Sequence, residues 1–262
     1  MNLKNSKITN ILSRRKNEFN IYLDSLLNSY KADDKFVIFS QGRTGSTLLC
    51  DLLNSHPKLH CDREILYDHV FFPNSYINGK SKNSSKSIYG FKVKIYQLTQ
   101  VQKIKDPKYF LENLHKNNWK IIYLKRDNLF RHALSNLVAL NKNQYHLKVS
   151  QELKEKSKIN VDCELLIEIM SKREKFLKEE ADVLRNIPHI TITYEDDLLR
   201  QKQHQNTLNN IFDFLDIDSH LIGTTLLKIV PDNLESIIEN YEEVISKVSQ
   251  SQYVDFLHTK QF

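Results

Sequence analysis

The sequence lacks any long hydrophobic run and has little cysteine. Its 262 residues include three cysteines, Cys50, Cys61 and Cys163, an odd number without the spacing of a metal site. This pattern argues against a disulfide framework or a zinc site and is typical of unpaired thiols in a reducing compartment. Charged residues recur every few positions near the N-terminus, so no apolar segment is long enough for a signal peptide or a membrane span. We therefore expect a cytoplasmic protein.

The charge balance is positive, with 38 Lys and Arg residues against 32 Asp and Glu residues. A net charge of +6 fits a nucleic acid, an acidic membrane surface or an anionic small molecule as partner. The positive residues are dispersed along the chain and do not cluster on one helix or between exposed aromatic residues. Composition therefore does not select a partner, and a basic nucleic-acid-binding protein without catalysis stays an alternative.

Four short apolar runs rich in strand-forming residues predict β-strands. They cover residues 35–40, 88–95, 120–125 and 189–194. Helix-like segments separate them, which favours an α/β fold with a mostly parallel central sheet flanked by helices. We expect a single domain over residues 1–262, with an N-terminal helical extension at 1–34 and an α/β core with C-terminal helices at 35–262.

Apolar spacing predicts where the main helices lie. The helical segments are 8–30, 48–54, 161–184, 207–215 and 234–248. Two polar stretches lie between the predicted elements. We expect residues 73–87 to form a surface loop and residues 141–158 to form a linker that is partly helical.

A turn between the first strand and the next helix, with the sequence QGRTGST at 41–47, is the main candidate for a binding site. Such a turn directs unpaired backbone N–H groups and the positive end of the helix dipole at one point, which is typical of an anion site. The residues that would support this role are two glycines that let the backbone approach an anion, three hydroxyls and one guanidinium group: Gly42, Gly45, Thr44, Ser46, Thr47 and Arg43.

The turn matches neither of the common nucleotide-binding motifs. A Walker loop requires four residues between its glycines and a lysine after the second one, and a Rossmann loop requires Gly-x-Gly-x-x-Gly. Neither spacing is present. A kinase-like phosphoryl transferase stays an alternative, although the sequence has no Walker lysine and no clear magnesium-binding acidic motif.

A second candidate stretch follows the third predicted strand. The strand ends at Arg126, a helix begins near Asn128, and Ser135 follows about two helical turns later. Because the carboxyl ends of neighbouring parallel strands face one crevice, we expect Arg126 and the first turn to lie close together.

These two stretches, QGRTGSTLLCDLLNSHP and YLKRDNLFRHALS, resemble the two cofactor signatures of sulfotransferases that use 3′-phosphoadenosine 5′-phosphosulfate (PAPS). The resemblance is strongest to bacterial carbohydrate enzymes of the trehalose and Nod-factor type. Many cytosolic aryl and steroid sulfotransferases carry lysine where Arg43 stands, and their interval between the second arginine and the serine is one residue shorter.

The resemblance implies a sulfotransferase fold, a PAPS co-substrate, no metal, and an acceptor hydroxyl of a carbohydrate or glycolipid. It implies that the first loop holds the 5′-phosphosulfate through Arg43, Thr44, Gly45, Ser46 and Thr47. It further implies that Arg126 and Ser135 bind the 3′-phosphate, and Lys228 is a further candidate for a phosphate contact.

Sulfuryl transfer to a hydroxyl also needs stabilisation of the leaving phosphate and a base for the hydroxyl proton. Arg43 and the backbone N–H groups of the turn are the candidates for the first task. The resemblance implies Glu64, shortly after the first cofactor helix, as the base. The alternatives nearby are His56, His60 and Asp62, while Glu195 is interpreted as a capping or loop-holding residue.

Overall fold

Five parallel strands form the centre of the fold in the computed structural model, which describes residues 2–27, 32, 34–141, 147–148, 158–223, 226–227 and 233–258. The strands of this sheet are β1 (Asp34–Ser40), β2 (Leu59–Asp62), β3 (Ile88–Val93), β4 (Trp119–Lys125) and β6 (His189–Thr193), and two-residue strands β5 (Leu147–Lys148) and β7 (Leu226–Leu227) pair antiparallel elsewhere. The order across the sheet is β2-β3-β1-β4-β6, and every pairing is parallel.

The helices cover both faces of this sheet. They are α1 (Asn2–Leu27), α2 (Ser46–Asn54), α3 (Pro73–Lys82), α4 (Pro107–Lys116), α5 (Leu129–Asn141), α6 (Cys163–Leu184), α7 (Gln201–Leu215), α8 (Tyr241–Ser249) and α9 (Asp255–His258). Alternate residues of β1 point to opposite faces, because Phe36 packs with α2 and α7 while Val37 packs with α4. The expected α/β class with a parallel sheet between helices is confirmed.

The strand order places a topological switch point beside β1. After β1 the chain builds β2 and β3 on one side, and then it crosses to build β4 and β6 on the other side. In open parallel sheets, ligands bind at such a point, outside the carboxyl ends of the strands. The turn at 41–47 and Arg126 both follow strands that flank this point.

Several boundaries differ from the sequence expectation. The predicted loop at 73–87 is wrong, since Pro73–Lys82 forms helix α3, which begins with a proline and packs on α1 through Gly79. The predicted helix at 234–248 begins only at Tyr241, because Leu234 and Ile238 are buried in turns and a short bridge to Ile159.

The other predicted helices and strands are present, but their first and last residues differ from the predicted ones. Helix α7 begins six residues before the predicted position, and the alternating pattern around His60 forms the short strand β2 beside the four main strands. Most of the predicted linker at 141–158, and Lys228, lie outside the described residues.

Cys50 and Cys61 are free, buried thiols with their sulfur atoms 3.3 Å apart. None of the helices in the described ranges combines the length and apolarity that a membrane crossing needs.

Replacing Gly79 by alanine tests the packing of α3 on α1. A Cβ atom at Gly79 would lie 2.0 Å from the carbonyl oxygen of Ile21, so one helix must shift away from the other. We expect Gly79→Ala to lower the free energy of unfolding by roughly 1–3 kcal/mol, as measured by urea denaturation. Gly223→Ala is the matched control, because a Cβ there meets nothing within 4 Å. Equal stability of the two variants would contradict this packing.

Candidate functional site

The turn between β1 and α2 is a tight loop with two residues in the left-handed region. Arg43 has a φ of 70° and Gly45 a φ of 87°. A Cβ atom at Gly45 would lie 2.6 Å from the ring of Tyr194, so position 45 requires glycine on both conformational and steric grounds. The Thr44 hydroxyl donates to the Gln41 carbonyl at 2.9 Å and closes the loop from within.

The structure brings the two candidate stretches into direct contact. The Nε and Nη2 atoms of Arg43 donate to the Ser135 hydroxyl at 3.2 and 3.1 Å. The Nη1 atom of Arg126 donates to the carbonyl oxygen of Arg43 at 3.3 Å. Two guanidinium groups from neighbouring strand ends therefore share one site, as the parallel topology predicts.

Arg126 is held by residues that follow β6. Its guanidinium carbon lies 4.6 Å from the centre of the Tyr194 ring, and its Nε atom is 3.4 Å from a Glu195 carboxylate oxygen. Burial lowers the pKa of Arg126, and Tyr194 and Glu195 partly offset this effect. The Glu195 carboxylate also accepts hydrogen bonds from the backbone N–H groups of Asp127 and Asn128, so it fixes the segment after β4.

A buried histidine on α5, His132, holds the backbone of the turn. The Nε2 atom of His132, on α5, is 2.7 Å from the Gly42 carbonyl oxygen and must carry the proton, because a carbonyl only accepts. Burial lowers the pKa of His132 well below its usual value, and the nearby Arg173, Arg126 and Arg43 add to this effect. His132 was not found from the sequence, although it lies one helical turn before Ser135 on the same helix face.

Glu64 follows β2 and faces two lysines at the end of β3. One of its carboxylate oxygens is 3.2 Å from Lys92 Nζ and 2.9 Å from Lys94 Nζ, and the other accepts from the Gln97 amide at 3.4 Å. Burial raises the pKa of Glu64, but the two ammonium groups outweigh this effect, and the pKa is lowered overall. Glu64 is therefore an ionised carboxylate at neutral pH.

Lys92 connects Glu64 with the hydroxyls of the turn. Its Nζ atom donates to Thr47 Oγ1 at 3.0 Å and to Ser46 Oγ at 3.4 Å, and its side chain is 5% exposed. A hydroxyl that accepts from an ammonium group still carries its own proton, which it can donate to an anion. Sequence analysis did not assign Lys92 or Lys94 to the site, although a lysine within a buried strand is an unusual position for a charge.

The alternative bases have structural partners. The His56 ring is buried, accepts from the Lys58 backbone N–H at 3.2 Å and contacts the Asp218 carbonyl at 3.2 Å, where it ends α2. Asp62 lies between His60 at 3.2 Å and the Tyr89 hydroxyl at 2.9 Å. Glu64 is the acidic residue among these candidates that connects, through Lys92, to the turn.

The buried carboxyl group of Glu180 contacts Gln41, the first residue after β1. One oxygen of Glu180, on α6, accepts from the Tyr123 hydroxyl at 3.1 Å and from the Gln41 amide at 3.3 Å. Its second oxygen is buried and has no hydrogen-bond partner among the described residues. Burial raises the pKa of Glu180 to about 8, although these hydrogen bonds and Arg173 oppose the shift. Glu180 is therefore mostly protonated at neutral pH.

Comparisons with known proteins find likeness only among solved structures. No protein-family model matches the chain, and no curated protein matches it significantly. A crystal structure of a sulfotransferase from Alicyclobacillus acidocaldarius aligns with a TM-score of 0.47 at 12% identity, over 82% of this chain and 94% of that one. Mouse sulfotransferase SULT7A1 complexed with PAP aligns with a TM-score of 0.44 at 16% identity, over 86% of this chain and 70% of that one. At these values the function has to be inferred from the residues of the site.

Replacing Glu180 by glutamine tests the buried neutral carboxyl. The folded state holds the Glu180 proton up to about pH 8, whereas an unfolded glutamate releases it near pH 4.5, so this group costs stability as the pH rises between these values. Glu180→Gln removes that cost, and we expect the free energy of unfolding at pH 8 to rise by roughly 1–3 kcal/mol.

The measurement is urea denaturation between pH 5 and pH 9. The difference from wild type should grow with pH up to about 8 and then level off. Glu168→Gln is the matched control, because the Glu168 carboxylate is exposed on the same helix and is not among the groups that shift the pKa of Glu180. A difference that is constant with pH would show that Glu180 is ionised.

Proposed function

We propose that this chain is a PAPS-dependent sulfotransferase that moves a sulfuryl group to a hydroxyl of a carbohydrate or glycolipid. The observation that carries the proposal is the contact between the two candidate stretches, in which Arg43 donates to Ser135 and Arg126 donates to the Arg43 backbone. The carbohydrate or glycolipid acceptor is supported by the arginine at position 43 and by the length of the interval from Arg126 to Ser135.

The residues present fit a donor with two separated anionic groups. Arg126 pairs through Nε with Glu195 at 3.4 Å and donates through Nη1 to the Arg43 carbonyl, so the other N–H groups of its guanidinium are the donors that would bind a phosphate oxygen. With Ser135 it would hold the 3′-phosphate, the group that distinguishes PAPS from common adenine nucleotides. The backbone N–H groups of the turn, that of Thr44 among them, and the hydroxyls of Ser46 and Thr47 would hold the 5′-phosphosulfate, while the Thr44 hydroxyl stays bonded to the Gln41 carbonyl.

The transfer itself needs charge stabilisation more than covalent catalysis. The acceptor oxygen forms a bond to sulfur while the bond between sulfur and the bridging oxygen of the 5′-phosphate breaks, and the electron pair stays on the phosphate. Arg43 and the turn would stabilise the charge that grows on this phosphate, and Lys92 adds a buried positive charge beside the same hydroxyls. These groups are held in position before the reaction, which lowers the cost of reorganisation.

Glu64 would accept the proton of the acceptor hydroxyl. Its lowered pKa keeps the carboxylate ionised at neutral pH but makes it a weaker base than an ordinary glutamate, and its 22% exposed side chain can reach an incoming hydroxyl. The two lysines that pair with it lie between the base and the turn, so the base and the donor site share one electrostatic network.

A titration with 3′-phosphoadenosine 5′-phosphate (PAP) and with ATP tests the donor assignment. We expect calorimetry to show tighter binding of PAP, because Arg126 and Ser135 bind a 3′-phosphate that ATP lacks. Arg126→Gln should weaken PAP about 10-fold to 100-fold and leave a nucleotide with only a 5′-phosphate nearly unchanged. Equal affinity of the wild-type protein for PAP and ATP would refute the donor assignment.

Replacing Glu64 by glutamine tests the base. With radiolabelled PAPS and a panel of sugars, glycolipids and phenols, we expect kcat of the Glu64→Gln variant to fall about 100-fold to 10,000-fold on any acceptor that wild type sulfates. PAP affinity should be retained or increased, because Lys92 and Lys94 lose their anionic partner. Glu112→Gln, which removes a carboxylate that pairs with Lys108 on α4, is the control. Retained turnover would assign the base to another residue.

A further inference from the structure

A third arginine, Arg173 on helix α6, lies against the turn that follows β1. Its Nη1 atom donates to the side-chain oxygen of Gln41 at 3.4 Å, and the Gln41 amide donates back to the Arg173 carbonyl at 3.2 Å. Gln41 is the first residue after β1 and is buried. The middle of α6 is thus attached to the turn through both the side chain and the backbone of one residue.

Arg173 is within electrostatic range of the other two guanidinium groups. Burial lowers the pKa of Arg173 to about 10, and Arg43 and Arg126 contribute in the same direction, with the larger contribution from Arg43. The same three arginines also act on His132 below the turn. Three positive charges from three different elements therefore surround one small region.

Within the described part of the chain, Arg173 has no ionised acidic partner that would balance its positive charge. No carboxylate within the described ranges lies within 4 Å of the Arg173 guanidinium group, and Glu180, which favours its charged form, is itself mostly protonated at neutral pH. Like charges held together in a partly buried region raise the free energy of the folded state unless an anion binds between them.

The neighbours of Arg173 indicate which end of the donor it faces. The pKa of Tyr96 is raised by burial and by Glu64, and Arg173 opposes this rise, so Tyr96 lies within range of both the candidate base and Arg173. Lys94, which pairs with Glu64, has its Nζ atom 5.5 Å from the centre of the Tyr96 ring. Arg173 bonds to Gln41, and a Cβ atom at the next residue, Gly42, would lie 3.5 Å from Lys94 Nζ, so Arg173 and the pair of Lys94 and Glu64 lie beside the same two residues. Arg126 is held instead by Tyr194 and Glu195.

We propose that Arg173 is a third anion-binding arginine of the site, which holds the phosphosulfate end of the donor on the side of the base. This assignment rests on the proposed function for the identity of the donor. A guanidinium group at this position can donate two parallel hydrogen bonds to sulfonate or phosphate oxygens. It would hold the sulfonate in line between the acceptor hydroxyl and the leaving phosphate.

Two small nucleotides, each with one of the two anionic ends of the donor, test the two ends independently. Adenosine 5′-phosphosulfate carries only the end assigned to Arg173, and adenosine 3′-phosphate carries only the end assigned to Arg126. We expect Arg173→Gln to weaken adenosine 5′-phosphosulfate about 10-fold to 100-fold in calorimetric or competition titrations and to leave adenosine 3′-phosphate within about 2-fold. Arg126→Gln should give the opposite pattern.

Matched variants exclude a merely structural role. Arg173→Lys keeps the charge and should recover part of the lost affinity, and Arg185→Gln makes the same exchange at the exposed end of α6 and should change neither affinity. Unchanged binding of adenosine 5′-phosphosulfate by Arg173→Gln would overturn the proposal, and so would an equal loss for both nucleotides.

A titration with inorganic sulfate distinguishes this proposal from the proposed function. Wild type should be stabilised against thermal unfolding by sulfate, and Arg173→Gln should be stabilised less. If wild type does not prefer PAP to ATP and yet shows this dependence on Arg173, the donor assignment fails and the anion-binding role of Arg173 is upheld. If PAP binds as expected while Arg173→Gln behaves like wild type toward both sulfate and adenosine 5′-phosphosulfate, the proposed function stands and the role of Arg173 fails.

Discussion

The contact between Arg43 and Ser135 is the interaction on which the candidate site depends. Two hydrogen bonds from one guanidinium group join the turn after β1 to helix α5, which follows β4. The Arg43 carbonyl accepts from Arg126, so the same residue joins both arginine-bearing strand ends. The backbone of Arg43 has a left-handed conformation, which is uncommon for a non-glycine residue and persists where the surroundings fix it. The parallel sheet supplies this constraint, because it places both strand ends at one edge.

The buried groups that hold the backbone of the turn are neutral, so they do not cancel the positive charge of the arginines beside it. His132 is uncharged and holds the Gly42 carbonyl, and Glu180 is mostly protonated and holds the Gln41 amide. An ionised carboxylate at position 180 would partly neutralise the arginines and compete with an anionic ligand. The polar groups that support the turn therefore position it without cancelling its charge, which is the electrostatic requirement of an anion site.

The sequence was sufficient to predict the parts of the fold and the site that depend on local pattern. The apolar runs before Gln41 and Arg126 predicted two strands, and parallel topology then predicted that their ends meet. Residues whose role depends on distant neighbours were not assigned. Lys92 interrupts an apolar strand, but the sequence does not show that it faces the turn, and Arg173 on a long polar helix has no local pattern that differs from surface residues. Helix α3 was missed for the same reason, since a polar sequence forms it by packing on α1.

The ring of Tyr194 packs against both the turn and Arg126. One side of the ring lies where a side chain at position 45 would stand, and the guanidinium group of Arg126 lies 4.6 Å from the ring centre. Tyr194 follows β6, the edge strand of the sheet. One aromatic side chain from outside both arginine-bearing segments therefore contacts each of them. Any residue larger than glycine at position 45 would force the Tyr194 ring to move, and would therefore also shift the surface on which Arg126 rests.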